Sequence, residues 1–152
     1  MRLRQRNIKK IILVLMVLFG GGKGYQTSFE STPIGQEVGG IVTHIADGDT
    51  ISVNAIKIRL WGFDTPEKGE PGYNEAGDFL EQEIFLSKVS CLVHTRDKYA
   101  RLVAQCTRDK DDADIGALVV RAGWAKDHTQ YSKGYYKVQE IQARKDKTGI
   151  WK

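Results

Sequence analysis

The stretch GIVTHIADGDTISVNAIKIRLWGF, residues 40–63, holds three short runs rich in β-branched side chains: Ile41–Ile45, Ile51–Val53 and Ile56–Trp61. Branched side chains suit a pleated surface and lose rotamer freedom in a helix, so each run is expected to be a strand. The joints are Asp47-Gly48 and a tight break at Asn54-Ala55, which predicts hairpin pairing of neighbours in a meander. In the third run Ile56, Ile58 and Leu60 alternate with Lys57, Arg59 and Trp61, which puts Arg59 off the core face.

Downstream the period changes from two to 3.6. Ala76, Phe79, Leu80 and Ile84 fall on one face of a helix expected over about Asn74–Ser87. Alternation returns in Val89, Cys91, Val93 and in Leu102, Ala104, Cys106, two strands joined by a loop carrying Arg96-Asp97-Lys98-Tyr99. Ile115, Leu118, Val119 and Ala122 mark a short amphipathic helix with Gly123 at its C-cap. A last helix is expected over roughly Lys133–Lys147, ending at Gly149, with Ile150 and Trp151 packing back on the body. Three strands, helix, two strands, helix, helix is an α+β order that suits a small five-stranded barrel closed by three helices.

At the other end, Arg2, Arg4, Arg6, Lys9 and Lys10 precede an apolar run from Ile11 to Phe19, the layout of a secretory signal over residues 1–24. Nine apolar residues are far fewer than the roughly 20 that span a bilayer, so export with cleavage to a periplasm or the medium is expected. An uncleaved segment tethering the domain is the alternative. Residues 25–37 read as a linker and 38–152 as one domain. Six of the 23 Lys and Arg residues lie in the leader, leaving 17 against 19 Asp and Glu. The net charge of +4 therefore says nothing about a nucleic-acid partner for the mature domain.

Candidate chemistry lies in the turns. Asp47-Gly48-Asp49-Thr50 and Asp64-Thr65-Pro66-Glu67 each read alone as a good turn or loop start. Together they set carboxylates where adjacent strands leave the sheet, which is how a hard cation with oxygen ligands is held. Arg59 stands close in sequence to Asp64 and Glu67, and its guanidinium can grip two phosphate oxygens.

These two tetrads, the run Arg59-Leu60-Trp61-Gly62-Phe63 and Asp97-Lys98-Tyr99-Ala100-Arg101, in this order and spacing, resemble the staphylococcal nuclease (thermonuclease) family. The similarity extends from about Ile41 to Trp151 and includes Gly123-Trp124-Ala125 and Gly149-Ile150-Trp151. It implies an OB-fold barrel with three helices and a calcium-dependent phosphodiesterase that cuts DNA and RNA to leave 3′-phosphates. It assigns Asp49, Asp64 and the Thr65 carbonyl to the calcium ion, and Glu67 to the attacking water. Arg59 and Arg101 are assigned to the scissile phosphate, and Lys98 and Tyr99 to a neighbouring one. DNA and RNA, single-stranded or frayed, are the expected substrates, with no obligate protein partner and a monomeric state. A nuclease-like domain of weak catalysis that binds nucleic acid or protein is the alternative.

The sequence departs from the family pattern at Ala100, where glycine is usual, and in a shorter loop over Lys68–Asn74. The base-cradling aromatic pair is not clearly matched near Asp127-His128-Thr129-Gln130, while Tyr131, Tyr135 and Tyr136 are aromatics for either base stacking or core packing. Cys91 and Cys106 face the core of adjacent strands, and a hairpin centred between Lys98 and Tyr99 sets them opposite each other. In an exported domain that predicts a disulfide, with two buried thiols as the alternative. His44, His94 and His128 lack zinc-ligand spacing and receive no catalytic role.

Overall fold

A computed structural model describes residues 34–152. The leader and most of the linker lie outside the described residues.

The three opening strands form as a meander: β1 (Glu37–Ile45), β2 (Thr50–Val53) and β3 (Ile56–Leu60). Val42 pairs with Val53, and Thr50 with Arg59. β1 starts ahead of the expected Ile41, because Glu37–Ile41 pair with β5 (Lys88–Arg96) while Val42–Ile45 turn to β2. A register shift between Val42 and His44 makes that bend, as a bulge does at a barrel corner. β5 pairs antiparallel with β6 (Leu102–Arg108), and β6 returns to run parallel with β3, Ile58 beside Leu102. This last pairing closes five strands into a barrel without a free edge, the OB-fold expected.

The barrel interior holds Val42, Ile51, Ile58, Leu60, Val89 and Ala104, all within 1% of full burial. Cys91 and Cys106 are direct cross-strand partners, Cα atoms 4.0 Å apart, and form the disulfide. A register shift between Val93 and Thr95 places the extra residue, His94, against Trp61, rings stacked at 4.4 Å.

Short β4 (Phe63–Asp64) leads into α1 (Tyr73–Ile84), which buries Ala76, Leu80 and Ile84 on the barrel. α1 ends before the expected Ser87 because Phe85 is extended and Leu86 adopts φ +59°. After β7 (Ala113–Asp114), α2 (Ile115–Arg121) is capped by Asp114, whose side chain accepts from Ala117 N. α2 buries Ile115, Gly116, Val119 and Val120, and Leu118 is only partly covered.

β8 (Lys126–Asp127) pairs with β4, so Lys126 lies beside Asp64. A one-turn α3 (Thr129–Ser132) follows, and α4 (Lys137–Asp146) starts four residues after the expected Lys133. Lys133 and Gly134 both have positive φ, which breaks the helix there. Tyr136 is buried, its hydroxyl donating to Asp114 and its ring set against Phe63, so its role is packing. Tyr131 and Tyr135 are exposed. The C-terminal 3-10 turn (Gly149–Trp151) lies on the body, Ile150 N donating to Gly123 O. A Cβ on Gly149 would meet that carbonyl oxygen at 2.2 Å, so only glycine permits this approach.

Candidate active site

The first hairpin turn folds Asp47 under the chain, and Asp49 N donates to its carboxylate at 3.1 Å. That leaves the Asp49 side chain pointing into a cluster. Its Oδ1 accepts from Thr50 Oγ1 at 2.9 Å, and its Oδ2 accepts from Thr65 Oγ1 at 3.2 Å. Arg59 Nη2 lies 3.1 Å from Asp49 Oδ2 and 2.7 Å from Asp64 Oδ1. The same guanidinium donates to the carbonyls of Leu60 and Phe63, so the backbone at the end of β3 fixes it between the two carboxylates.

Burial pushes the Asp49 carboxyl up to about 6, against the opposing pull of Arg59 and with help from the Asp47 charge. Taking a carboxylate out of water disfavours its ionised form, and one cation at 3.1 Å does not fully restore it here.

Arg101 approaches from the β5–β6 loop. Asp97 organises that loop by accepting from Tyr99 N, Arg101 N and Arg101 Nε, the last at 2.6 Å. Burial alone would raise the Asp97 carboxyl, but these donors outweigh it and hold it below the usual range. Ala100 has φ +63°, in the left-handed region that ordinarily favours glycine. Arg101 still reaches the cluster, Nη1 donating to Thr50 Oγ1 at 3.2 Å. Lys98 Nζ and Arg101 Cζ lie 5.0 Å and 5.5 Å from the Tyr99 ring centre.

Asp49, Arg59, Thr65, Glu67, Tyr99 and Arg101 line one cleft of about 280 Å³ together with Asp47. Glu67 is exposed there, and its carboxylate makes no hydrogen bond among the described residues. Asp64 is half exposed and faces an adjoining groove, meeting the cluster through Arg59. Lys98 does not line the cleft itself and meets it through the Tyr99 ring.

Three residues with a bearing on this cleft escape a reading of the sequence. Asp97 is one, as the brace of Arg101. Glu70 is the second: its Oε2 accepts from Glu67 N at 2.8 Å while Glu70 N donates to Glu67 O at 2.9 Å, a reciprocal clamp three residues apart. The Glu-x-x-Glu spacing resembles a capping box, which was the available signal. His128 is the third, with Nε2 3.5 Å from Asp64 Oδ2 and its ring edge-on to Tyr131 at 4.5 Å. His44 is exposed and remote from these contacts in the sheet.

A divalent cation fits the donor set in kind. Asp49 Oδ2 and Asp64 Oδ1 flank the same Arg59 nitrogen, which brings the two carboxylates together, and Thr65 Oγ1 stands 3.2 Å from Asp49 Oδ2. All are hard oxygens, as calcium, magnesium and manganese prefer. Among the described residues no three His, Cys, Asp or Glu side chains form a ready-made cage. The remaining ligands would have to be water and substrate.

Comparison with known proteins gives the same direction. Residues 57–152 match the family model described as staphylococcal nuclease homologue. An uncharacterized endonuclease of Escherichia coli O157:H7 is 31% identical over 120 residues, covering 76% of this chain and 78% of that protein. A succinoglycan biosynthesis protein, ExoI, of Rhizobium meliloti is 29% identical over 119 residues, 71% and 62% of the two chains. A micrococcal nuclease of Shigella flexneri is 27% identical over 135 residues, 80% and 78% of the two chains. With more than half its length matched by the family model, and the barrel and motif order to go with it, this chain belongs to the staphylococcal nuclease homologues.

Proposed function

We propose that the protein is an exported, calcium-dependent nuclease of the thermonuclease type, hydrolysing DNA and RNA to 3′-phosphates as a monomer on single-stranded or frayed substrate. The observation that carries this is the convergence of Asp49, Arg59, Thr65, Glu67 and Arg101 on one cleft. A phosphodiesterase needs a cation site, a base for water and positive groups at the five-coordinate phosphorus, and this cleft contains candidates for all three.

When bound by Asp49, Asp64 and Thr65, the cation supplies Lewis-acid stabilisation of phosphoryl charge and acidifies water. Glu67 takes the proton of the attacking water, its carboxylate being open to the cleft and its backbone held by Glu70. Arg59 and Arg101 offer planar guanidinium groups to the phosphate, Arg101 braced by hydrogen bonds to Asp97 and Thr50. His128 and Tyr131 form an aromatic pair beside Asp64, which supports stacking of a base there. Export rests on the basic and apolar layout of residues 1–24.

The test is cleavage of end-labelled single-stranded DNA and RNA by the purified protein in calcium, magnesium or chelator, with the new ends identified by phosphatase sensitivity. Calcium-dependent cleavage leaving 3′-phosphates is expected. A folded protein that binds the oligonucleotide and cuts neither would move the assignment to a binding domain.

A further inference from the structure

Charge is unevenly spread along the domain. Residues 133–152 hold six Lys and Arg against two carboxylates, Glu140 and Asp146, while residues 25–132 hold eleven against seventeen. A region of net charge +4 thus closes a domain whose remainder is −6. Most of that region is α4, one side of which is open to solvent. Lys137, Ile141 and Lys145 are four residues apart and Val138 lies beside them, so all four fall within about 100° of the helix circumference. Val138 is 75% and Ile141 56% exposed, and Lys137 and Lys145 are exposed with them.

The carboxylates near this face are taken up inside the fold. Glu140 is buried and accepts from Asp127 N and Arg144, with Lys137 farther off at 3.9 Å. Asp127 accepts from Thr129, Ser132 and Tyr136 N. Asp114 caps α2 and accepts from the Tyr136 hydroxyl. Asp146, next to Lys145, is engaged by Arg121 and Gln142. What α4 turns outward is therefore two aliphatic side chains between two lysines. Beyond Val138 the apolar surface continues into a groove of about 420 Å³ between α2 and α4, along which Ala117 and Leu118 lie.

We propose that the outer face of α4 docks the domain on an anionic lipid bilayer, Val138 and Ile141 entering the headgroup layer while Lys137 and Lys145 meet lipid phosphates. Cations alone would suit any polyanion, but a nucleic-acid backbone gives Val138 and Ile141 nothing apolar to contact, and the acyl boundary of a bilayer does. A second copy seated symmetrically on this face would set the same lysines against each other. The inference does not draw on the central cleft and holds whether or not the protein cuts nucleic acid.

The experiment measures amine labelling of individual lysines by mass spectrometry on the full-length protein in chelator. It is done alone, with vesicles of mixed phosphatidylglycerol and phosphatidylcholine, with phosphatidylcholine vesicles, and with single-stranded DNA. Lys57, exposed in β3, reports any shielding that follows from tethering alone. The mixed vesicles should slow labelling of Lys137 and Lys145 about tenfold and leave Lys57 unchanged, with little effect from phosphatidylcholine or DNA. Val138→Ser combined with Ile141→Ser, both at exposed positions, should remove most of that protection at an unchanged melting temperature. The docking face is overturned if Lys137 and Lys145 react at the free rate on mixed vesicles or if Lys57 is shielded equally. Equal protection by phosphatidylcholine or by DNA, protection that rises with protein concentration alone, or protection unaltered in the double serine variant would overturn it too.

Discussion

Asp49 keeps a carboxylate where burial disfavours its charge, with the folded group titrating at about 6 against an ordinary 3.8. A raised value means the native state binds the proton more tightly than the unfolded chain. Stability from this group is therefore full below about pH 4 and lost as pH rises through about 6. Asp49→Asn should raise cation-free stability at pH 7 by about 1–3 kcal/mol and give no gain at pH 3.5. Thermal unfolding in chelator at the two pH values checks this, and an equal effect at both would refute it. The local cost of Asp49 is what a cation site requires, since a carboxylate already neutralised by its surroundings would attract no ion. At this scale Asp49, Arg59, Thr65, Glu67 and Arg101 were singled out through the order and spacing of motifs that resemble the family, since each motif read alone is only a turn or a surface arginine, and the fold gathers them along one cleft. Glu70, Asp97 and His128 were not. Their contacts depend on how a loop turns back or where α3 lands, which no local pattern encodes.

Two turns hold alanine in the left-handed region. Asn54 and Ala55, at φ +47° and +69°, form the β2–β3 turn, and Ala100, at +63°, stands beside Arg101. Positive φ at both central residues matches the twist of a two-residue hairpin but crowds the alanine Cβ. Ala55→Gly and Ala100→Gly should each stabilise the fold by about 0.5–1 kcal/mol, read from urea unfolding midpoints. A loss of stability in either would show that the tertiary setting already favours alanine. The hairpins, the β5–β6 register and the disulfide were readable because period-two alternation fixes which residues face each other. The end of α1 and the start of α4 were not, since Leu86 and Lys133 look helical, yet Leu86 N donates to Val42 O of β1 and Lys133 takes a positive φ beside Gly134. The parallel β3–β6 contact that closes the barrel was likewise hidden, being a long-range pairing without a turn to announce it.

Over the whole molecule, the barrel acts as a frame that brings three distant pieces of chain to one rim. The first hairpin delivers Asp49, the β3–α1 connection delivers Asp64 to Glu67, and the β5–β6 loop delivers Arg101. The Cys91–Cys106 disulfide staples the two strands beneath that loop, with both sulfurs inside the core. The family model begins at Lys57, within β3, so the matched part contains Arg59, Asp64, Glu67 and Arg101 but not the Asp49 turn. That turn enters through its pairing with β3, Thr50 opposite Arg59. If the protein is a nuclease, this rim is the place of catalysis. The direct measurement is the steady-state rate of Glu67→Gln beside wild type on one single-stranded oligonucleotide in calcium, with melting temperatures recorded for both. The account predicts a kcat lower by about 10²–10⁴-fold at matched stability. A kcat within a fewfold of wild type would contradict it and remove Glu67 from the reaction.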